Sequence, residues 1–298
     1  MAGDAILLTF LEEKKSSFNS ISDIPLYVCT ISTDSKEFLV CNIENNKICA
    51  KIQNPLPFNI ITKGLICELN GSQLFYFGGC TKDDKPIGLC LLIDIRTQSV
   101  EVLPSGKPRY FANPVYFENF VYIFGGKSSN KSLADSDKFS LRKNKWKSIA
   151  DLPCRAYQTS AIVYRNQILL SGRNLGNIWK YDPVTNSYES LFEIVKEQWK
   201  FFFIYKKQCY IVTSERLCFS SEVDDWKTWN YFGTVRSLKW PVSNVCLYQD
   251  NFIFFDQNSD ICEFDIQKYA FVLRAKFSID PQSNDNLNQT NESRNNKK

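Results

Sequence analysis

The sequence of 298 residues contains no histidine. Histidine is the usual proton shuttle of enzymes at neutral pH and a common metal ligand. Its absence excludes Ser-His-Asp and Cys-His catalysis, and it excludes zinc or copper sites built on histidine. Carboxylates, lysines and tyrosines remain, yet no short segment combines them in a recognisable catalytic motif. We therefore expect a protein that is not an enzyme, with no catalytic residues and no cofactor.

The cysteines form no metal-binding motif. There are eleven, but none stands in a Cys-x-x-Cys pair, the spacing that clusters zinc ligands. Their number is odd, and several lie in apolar, strand-like runs, among them Cys67, Cys90, Cys209 and Cys246. We interpret them as buried free thiols in a reducing compartment, and we expect no metal site.

Long apolar runs and concentrated charge are also missing. No segment approaches the roughly 20 apolar residues of a membrane helix. The apolar run at 5–11 follows Asp4 and lacks a basic leader, so we expect no signal peptide, no membrane insertion and a cytoplasmic location. The net charge is only +4 and the basic residues are scattered, which argues against nucleic acid as a partner.

Short strand-like segments recur along the chain, and two of them, "LFYFGGC" (74–80) and "FVYIFGGK" (120–127), contain a glycine pair. Each belongs to a hairpin of two such segments around a tight turn. The hairpin turns fall at Asn70-Gly71, Glu118-Asn119, Arg165-Asn166, Lys206-Lys207 and Asp250-Asn251. A spacing of about 40–50 residues is typical of repeated small sheets. The pattern therefore predicts a series of four-stranded antiparallel sheets.

This pattern resembles the kelch repeat, and the resemblance covers residues 57–277. In that family a strand ends in two glycines, and an aromatic residue and a tryptophan follow later in the same blade of a β-propeller. The resemblance implies structural glycines, which let the chain turn with positive φ and let backbones approach closely. These are Gly78, Gly79, Gly125, Gly126 and, in a repeat where the pair is reduced to Ser-Gly, Gly172. Trp146, Tyr188 and Trp229 are expected in the core.

We predict an all-β, kelch-type propeller of six four-stranded blades at residues 26–277, followed by a disordered polar tail at 278–298. The first blade is predicted from three strand-like segments within 26–52. The N-terminal segment 1–25 contains the apolar run 5–11. We interpret this run as a strand that closes the ring with the C-terminal strands or, alternatively, as a short helix at the edge.

The loops that enter the first strand of each blade repeatedly place a basic residue near an aromatic one. The kelch resemblance implies that such loops lie at one mouth of the central channel and contact partners. Arginine binds carboxylates in a planar fork, and aromatic side chains are rigid anchors. The alternative is a structural role, in which these side chains stack between blades or arginine closes a blade's corner. The candidate partner-binding residues are Arg109, Tyr110, Arg155, Tyr157, Trp199, Lys200, Lys239 and Trp240.

We therefore predict a non-catalytic protein–protein interaction module, a scaffold or adaptor that binds an acidic peptide segment of another protein. The kelch resemblance adds ubiquitin-ligase and cytoskeletal components as classes of partner. The alternative is a kelch-propeller enzyme such as a sugar isomerase, with Glu197, Arg109 and Arg155 around the channel. A phosphate-rich or nucleic-acid ligand is a third hypothesis, and the small net charge argues against it.

Overall fold

The structure is a computed structural model, and all the regular structure that it describes is β-strand. The described residues form six four-stranded antiparallel sheets and one two-stranded ribbon. Neighbouring strands of a four-stranded sheet follow one another in the chain, except in sheet 3, where a ribbon is inserted between the second and third strands. The described residues are 10–11, 27–31, 37–42, 47–55, 64–70, 72–81, 83–193, 200–205, 207–213, 217–222, 228–234, 246–248, 251–255, 260–265 and 270–276.

The first three sheets contain the strands β1 to β14. Sheet 1 consists of β1 (Phe10–Leu11), β2 (Tyr27–Ile31), β3 (Glu37–Asn42) and β4 (Lys47–Gln53). Sheet 2 consists of β5 (Leu65–Asn70), β6 (Gln73–Phe77), β7 (Cys90–Asp94) and β8 (Ser99–Val102). Sheet 3 consists of β9 (Pro114–Phe117), β10 (Phe120–Phe124), β13 (Ser136–Ser140) and β14 (Lys145–Ser148). The ribbon β11 (Lys127–Ser128) and β12 (Lys131–Ser132) is inserted between β10 and β13.

The last three sheets contain the strands β15 to β26 in simple order. Sheet 4 consists of β15 (Tyr157–Tyr164), β16 (Gln167–Arg173), β17 (Asn177–Asp182) and β18 (Ser187–Glu193). Sheet 5 consists of β19 (Lys200–Tyr205), β20 (Gln208–Thr213), β21 (Leu217–Glu222) and β22 (Asn230–Thr234). Sheet 6 consists of β23 (Cys246–Tyr248), β24 (Asn251–Phe255), β25 (Asp260–Asp265) and β26 (Ala270–Lys276).

The second strands β6, β10 and β16 read as largely apolar runs because both of their faces are buried. Side chains of a strand alternate between its two faces. On β6, Leu74 and Tyr76 pack against sheet 1, whereas Phe75 and Phe77 pack against sheet 3. On β10, Tyr122 and Phe124 pack against sheet 4 in the same way. Consecutive sheets therefore share apolar layers, as the blades of a propeller do.

The predicted core aromatics lie in these layers. Trp146 packs against the layer between sheets 2 and 3, and its indole Nε1–H donates a hydrogen bond of 2.8 Å to the carbonyl of Pro104. Tyr188 packs between sheets 3 and 4, and its hydroxyl donates a hydrogen bond of 2.9 Å to Ala150 O. Trp229 packs against the layer between sheets 4 and 5. The two hydrogen bonds tie the outer strands β14 and β18 to the connection from the sheet before each.

The first sheet differs from our expectation at its N-terminal side. We expected residues 5–11 to close the ring with the C-terminal strands or to form a short helix. Instead, Phe10–Leu11 pairs with Tyr27–Val28 as the first strand of sheet 1. Sheet 6 takes all four of its strands from the C-terminal part of the chain. Sheet 1 therefore begins before residue 26, the predicted start of the propeller. The predicted disordered tail at 278–298 lies outside the described residues.

The end of a sheet at which its first strand passes into its second is here called the turn end. In sheets 3 and 4, short turns join the first strand to the second and the third to the fourth, so both turns lie at this end. Positive φ angles at Glu118 (48°), Asn119 (63°), Arg165 (47°) and Asn166 (61°) are those of two-residue hairpin turns. The connection between second and third strands and the link to the next sheet lie at the opposite end, which we call the loop end.

Candidate functional site

The glycine pairs shape the loop end. Gly125 and Gly126 have φ angles of 59° and 102°, in the region that L side chains rarely adopt. A Cβ on Gly125 would lie 2.6 Å from the carbonyl oxygen of Ala156. The N–H of Gly126 donates a 2.8 Å hydrogen bond to that same oxygen. The pair therefore brings β10 against the chain that enters sheet 4, and no larger residue fits there.

The other three predicted structural glycines have two different roles. Gly78 and Gly79 repeat the arrangement, with φ angles of 74° and 108° and a 3.0 Å hydrogen bond from Gly79 N–H to Arg109 O. Gly172 lies within β16 and has no positive φ. A Cβ there would lie 3.1 Å from Thr159 Cα, so its smallness serves close approach of two strands rather than a turn.

The hydrogen bonds of Gly79 and Gly126 also show which residues are equivalent in the loops that enter sheets 3 and 4. The carbonyl that accepts from the second glycine belongs to Arg109 in one repeat and to Ala156 in the next. Arg109 and Arg155 are therefore displaced by one position relative to each other. Their side chains lie in different environments: Arg109 is buried, at 1% exposed, whereas Arg155 is on the surface.

The Arg109 guanidinium is held inside sheet 3 by acceptors of the protein itself. Its Nη1 donates to the carbonyls of Gly125 at 3.1 Å and of Asp135 at 2.8 Å. Its Nη2 donates to the buried carboxylate of Asp137 in an ion pair. Burial lowers the pKa of the guanidinium from its ordinary value, and the attraction of Asp137 opposes that shift. Arg109 therefore joins the glycine turn to β13.

The carboxylate of Asp137 has further partners. Lys107 Nζ lies 3.4 Å from its Oδ1, and Ser148 Oγ donates to the same oxygen at 2.7 Å. Lys107 also lies 3.3 Å from Asp135. Two cations and two carboxylates therefore neutralise one another at this corner of sheet 3.

A second group of basic and aromatic side chains is more accessible. Lys127 follows the glycine pair directly and is fixed by two backbone hydrogen bonds with Tyr110, of 2.8 and 3.0 Å. From this position its Nζ lies 4.1 Å from the ring centroid of Tyr157 in the next sheet. The Cζ of Arg173, which is the register partner of Tyr157 on β16, lies 5.3 Å from the same centroid.

Lys127, Arg155, Tyr157 and Arg173 form what we call the loop cluster. The Tyr157 ring attracts the cations of Lys127 and Arg173 through its π system. Arg155 stands two positions before Tyr157 and is exposed. Within the described part of the chain, neither Lys127 nor Arg155 has an ion-pair partner. The chemistry of the cluster thus suits an anion that would lie beside its cations.

The remaining candidate residues are distributed as follows. Tyr110 is 7% exposed, and its hydroxyl donates to Ser129 O at 2.5 Å, so it supports the ribbon. Lys200 begins β19, where it is the register partner of Thr213. Trp199, Lys239 and Trp240 lie outside the described residues. The structure therefore brings Tyr157 together with Lys127 and Arg173, two residues that the loop pattern missed because they follow or end second strands.

Among the residues that the structure describes, no group of three or more His, Cys, Asp or Glu side chains is arranged to hold a metal ion. That same part of the chain has no helix with the length and apolarity to span a membrane. Glu197, the carboxylate of the isomerase hypothesis, is outside the described residues.

The Kelch motif family model matches residues 108–153. This range contains all of sheet 3, the Gly125-Gly126 turn and the Arg109–Asp137 pair. The solved structure of YjhT is similar to this chain with a TM-score of 0.54 and 14% sequence identity, over 68% of this chain and 73% of that one. The resemblance predicted from the repeat is therefore confirmed, since the chain carries a Kelch motif in an all-β, propeller-like fold.

Similarity to known proteins identifies the fold of this chain but does not identify its function. No curated protein sequence matches this chain. Structural similarity extends to 1041 chains of known structure, so the fold alone does not select one activity. Function has to be argued from the side chains and their chemistry.

Proposed function

We propose that this protein is a non-catalytic interaction module that binds an acidic segment of another protein at the loop cluster. The observation that carries the proposal is the placement of two cations, Lys127 and Arg173, over the single ring of Tyr157. A carboxylate beside these cations would gain charge-assisted hydrogen bonds. The ring would supply a rigid apolar contact beside them.

The position of the cluster supports a macromolecular ligand. It is built from two sheets, since Lys127 belongs to the insertion of sheet 3 and Tyr157 to the first strand of sheet 4. Arg155 extends the positive surface along the connection between them. A ligand that contacts all four residues would lie across the sheet boundary, as an extended peptide segment does. The enzyme hypothesis gains no such support, because the guanidinium of Arg109 is already bound by Asp137 and two carbonyls.

The wider setting is part of the same proposal. Cys67, Cys90 and Cys209 are buried and free. Burial raises the pKa of the Cys90 thiol to about 12 and also raises that of the other two, which keeps them protonated and unreactive. Such thiols suit a reducing compartment such as the cytoplasm. By family resemblance the partner would be a ubiquitin-ligase or cytoskeletal component, and the protein would act as an adaptor or scaffold.

The test is selection of short random peptides on the wild-type protein, followed by affinity measurements on variants. We expect the selected peptides to be rich in Asp and Glu and to bind less tightly as ionic strength rises. The double variant Lys127→Glu, Arg155→Glu should lose them. Arg165→Glu is the matched control, because Arg165 lies 5.2 Å from the Tyr164 ring at the turn end of the same strand.

Two results would overturn the proposal. One is selection of peptides without carboxylates, or peptides that bind equally well after Asp and Glu are changed to Asn and Gln. The other is equal loss of binding in the double variant and in Arg165→Glu, because the effect would then follow net charge rather than the loop cluster. Equal melting temperatures of the variants and the wild type are the check on folding.

A further inference from the structure

The outer edge of sheet 3 carries a second group of cations, far along the strands from the glycine turn. Among the described strands, β14 pairs only with β13 and so is the edge of its sheet. No acidic residue occurs from 138 to 150. Over the same stretch the strand pair and its turn contain five basic residues, which we call the basic edge: Lys138, Arg142, Lys143, Lys145 and Lys147.

The basic edge breaks a rule of sheet stability. Lys138 and Lys147 are direct cross-strand partners, and like charges in that position destabilise a sheet. Lys138 Nζ is held 4.5 Å from the Phe120 ring centroid and 5.5 Å from that of Tyr122. Burial and the charge of Lys147 both lower the pKa of Lys138. The pair is thus retained at a local cost in stability.

Within the described part of the chain, no carboxylate compensates these cations. The only acidic residue of the two strands is Asp137, which is bound to Arg109, Lys107 and Ser148. The outer strands of the two adjoining sheets are different. Strand β8 carries Glu101, and Glu189 on β18 forms an ion pair with Lys180. The excess of positive charge therefore distinguishes sheet 3 from sheets 2 and 4.

The backbone of β14 is arranged to accept another strand. The N–H of Ile149 donates a 3.0 Å hydrogen bond to Ser136 O, and the register pairs Lys147 with Lys138 and Lys145 with Ser140. In an antiparallel ladder, hydrogen-bonded and non-hydrogen-bonded pairs alternate. The N–H and C=O groups of Lys145 and Lys147 therefore point to β13, whereas those of Trp146 and Ser148 point away from it.

Side chains follow the same alternation. Lys145 and Lys147 are two positions apart and lie on one face of the sheet, together with Lys138. A strand added beside β14 would place alternate side chains of its own on that face, next to the two lysines. Carboxylates at those positions would neutralise the cations. A second copy of this edge would instead place lysine against lysine, which disfavours self-pairing.

We propose that the basic edge binds an acidic, extended segment of a partner protein, which adds to sheet 3 as a fifth strand beside β14. Main-chain hydrogen bonds to Trp146 and Ser148 would supply affinity, and carboxylates spaced two residues apart would supply specificity. This surface is separate from the loop cluster, and the proposal does not depend on the function proposed for that cluster.

The probe is a synthetic peptide in which Glu alternates with Thr or Val, measured by fluorescence anisotropy on the full chain. We expect Lys145→Glu, Lys147→Glu to weaken its binding about tenfold or more. The loop variant Lys127→Glu, Arg155→Glu should bind the peptide as the wild type does. Hydrogen exchange should show new protection of the amides of Trp146 and Ser148 when the peptide is bound.

Two control ligands separate strand addition from simple charge attraction. The first is the same peptide with N-methylated backbone amides, which keeps the charge and cannot pair as a strand. The second is a single-stranded oligonucleotide as competitor. Binding of the N-methylated peptide with unchanged affinity would overturn the proposal, as would stronger binding of the oligonucleotide than of the peptide. Unchanged affinity of the Lys145→Glu, Lys147→Glu variant would overturn it as well.

Discussion

Replacement of Arg109 by methionine tests the structural role of the buried ion pair. Methionine keeps much of the alkyl volume but leaves Asp137 without its main cation and leaves the carbonyls of Gly125 and Asp135 without their donor. Removing one partner of a buried ion pair costs about 3–5 kcal/mol. Asp137 keeps Lys107 at 3.4 Å and Ser148 at 2.7 Å, so the lower end of that range, ~3 kcal/mol, is expected.

The measurement is chemical and thermal unfolding of Arg109→Met and of its matched control Arg155→Met. A loss of ~3 kcal/mol corresponds to a fall in melting temperature of roughly 6 °C for a chain of this size. Arg155 is exposed, so the control should lie within about 0.5 kcal/mol of the wild type. The double variant Arg109→Met, Asp137→Leu should recover part of the loss, because no charge then remains buried alone. Equal stability of the two single variants would refute the assignment of Arg109 to the interior.

Three further predictions concern the backbone turn, the basic edge and the buried tyrosines. Gly78→Ala should cost about 2 kcal/mol or more, because φ is 74° and a Cβ would lie 2.3 Å from Arg109 O. Gly176→Ala, with no atom within 4 Å of its Cβ, is the neutral control in the same unfolding assay. Lys147→Glu should stabilise the protein by about 0.5–1 kcal/mol, since it places opposite charges across the strand pair with Lys138; a loss of stability would contradict the like-charge argument. Burial raises the pKa of Tyr122 from 10.0 to about 12, so this hydroxyl stays neutral in the folded protein while it ionises in the unfolded chain above pH 10. The free energy of unfolding should therefore fall as the pH rises from 10.0 to about 12. Tyr122→Phe should reduce this fall by about 1.4 kcal/mol per pH unit. An unchanged pH dependence of the variant in denaturant titrations would contradict the prediction.

Much of the fold follows from patterns that are local in the sequence. The turns at Glu118-Asn119 and Arg165-Asn166 occur where short polar pairs interrupt two apolar runs, and both adopt the positive φ of hairpins. The second strands β6, β10 and β16 lack polar alternation because neighbouring sheets cover both of their faces, and this also follows from a repeat of stacked sheets. Strand identity was therefore predictable from neighbouring residues alone.

The site was less predictable because it depends on register between sheets. Arg109 and Arg155 both follow a proline-containing loop, but a displacement of one position sends the first inward to Asp137 and leaves the second exposed. Lys127 and Arg173 do not belong to the entering loops at all. They reach Tyr157 because the glycine turn and the β15–β16 register place them there. A comparison of the entering loops with one another cannot reveal such contacts, because the contacting residues lie in separate segments of the sequence.

The most direct test of binding at the loop cluster is zero-length carbodiimide coupling between a selected acidic peptide and the wild-type protein. The reagent joins a carboxylate to a lysine amine only where the two are in contact, and mass spectrometry identifies the lysine. We predict coupling at Lys127 that disappears in Arg155→Glu. Coupling at Lys207, which is exposed at the turn end, with none at Lys127 would contradict the proposal that the loop cluster is the binding site.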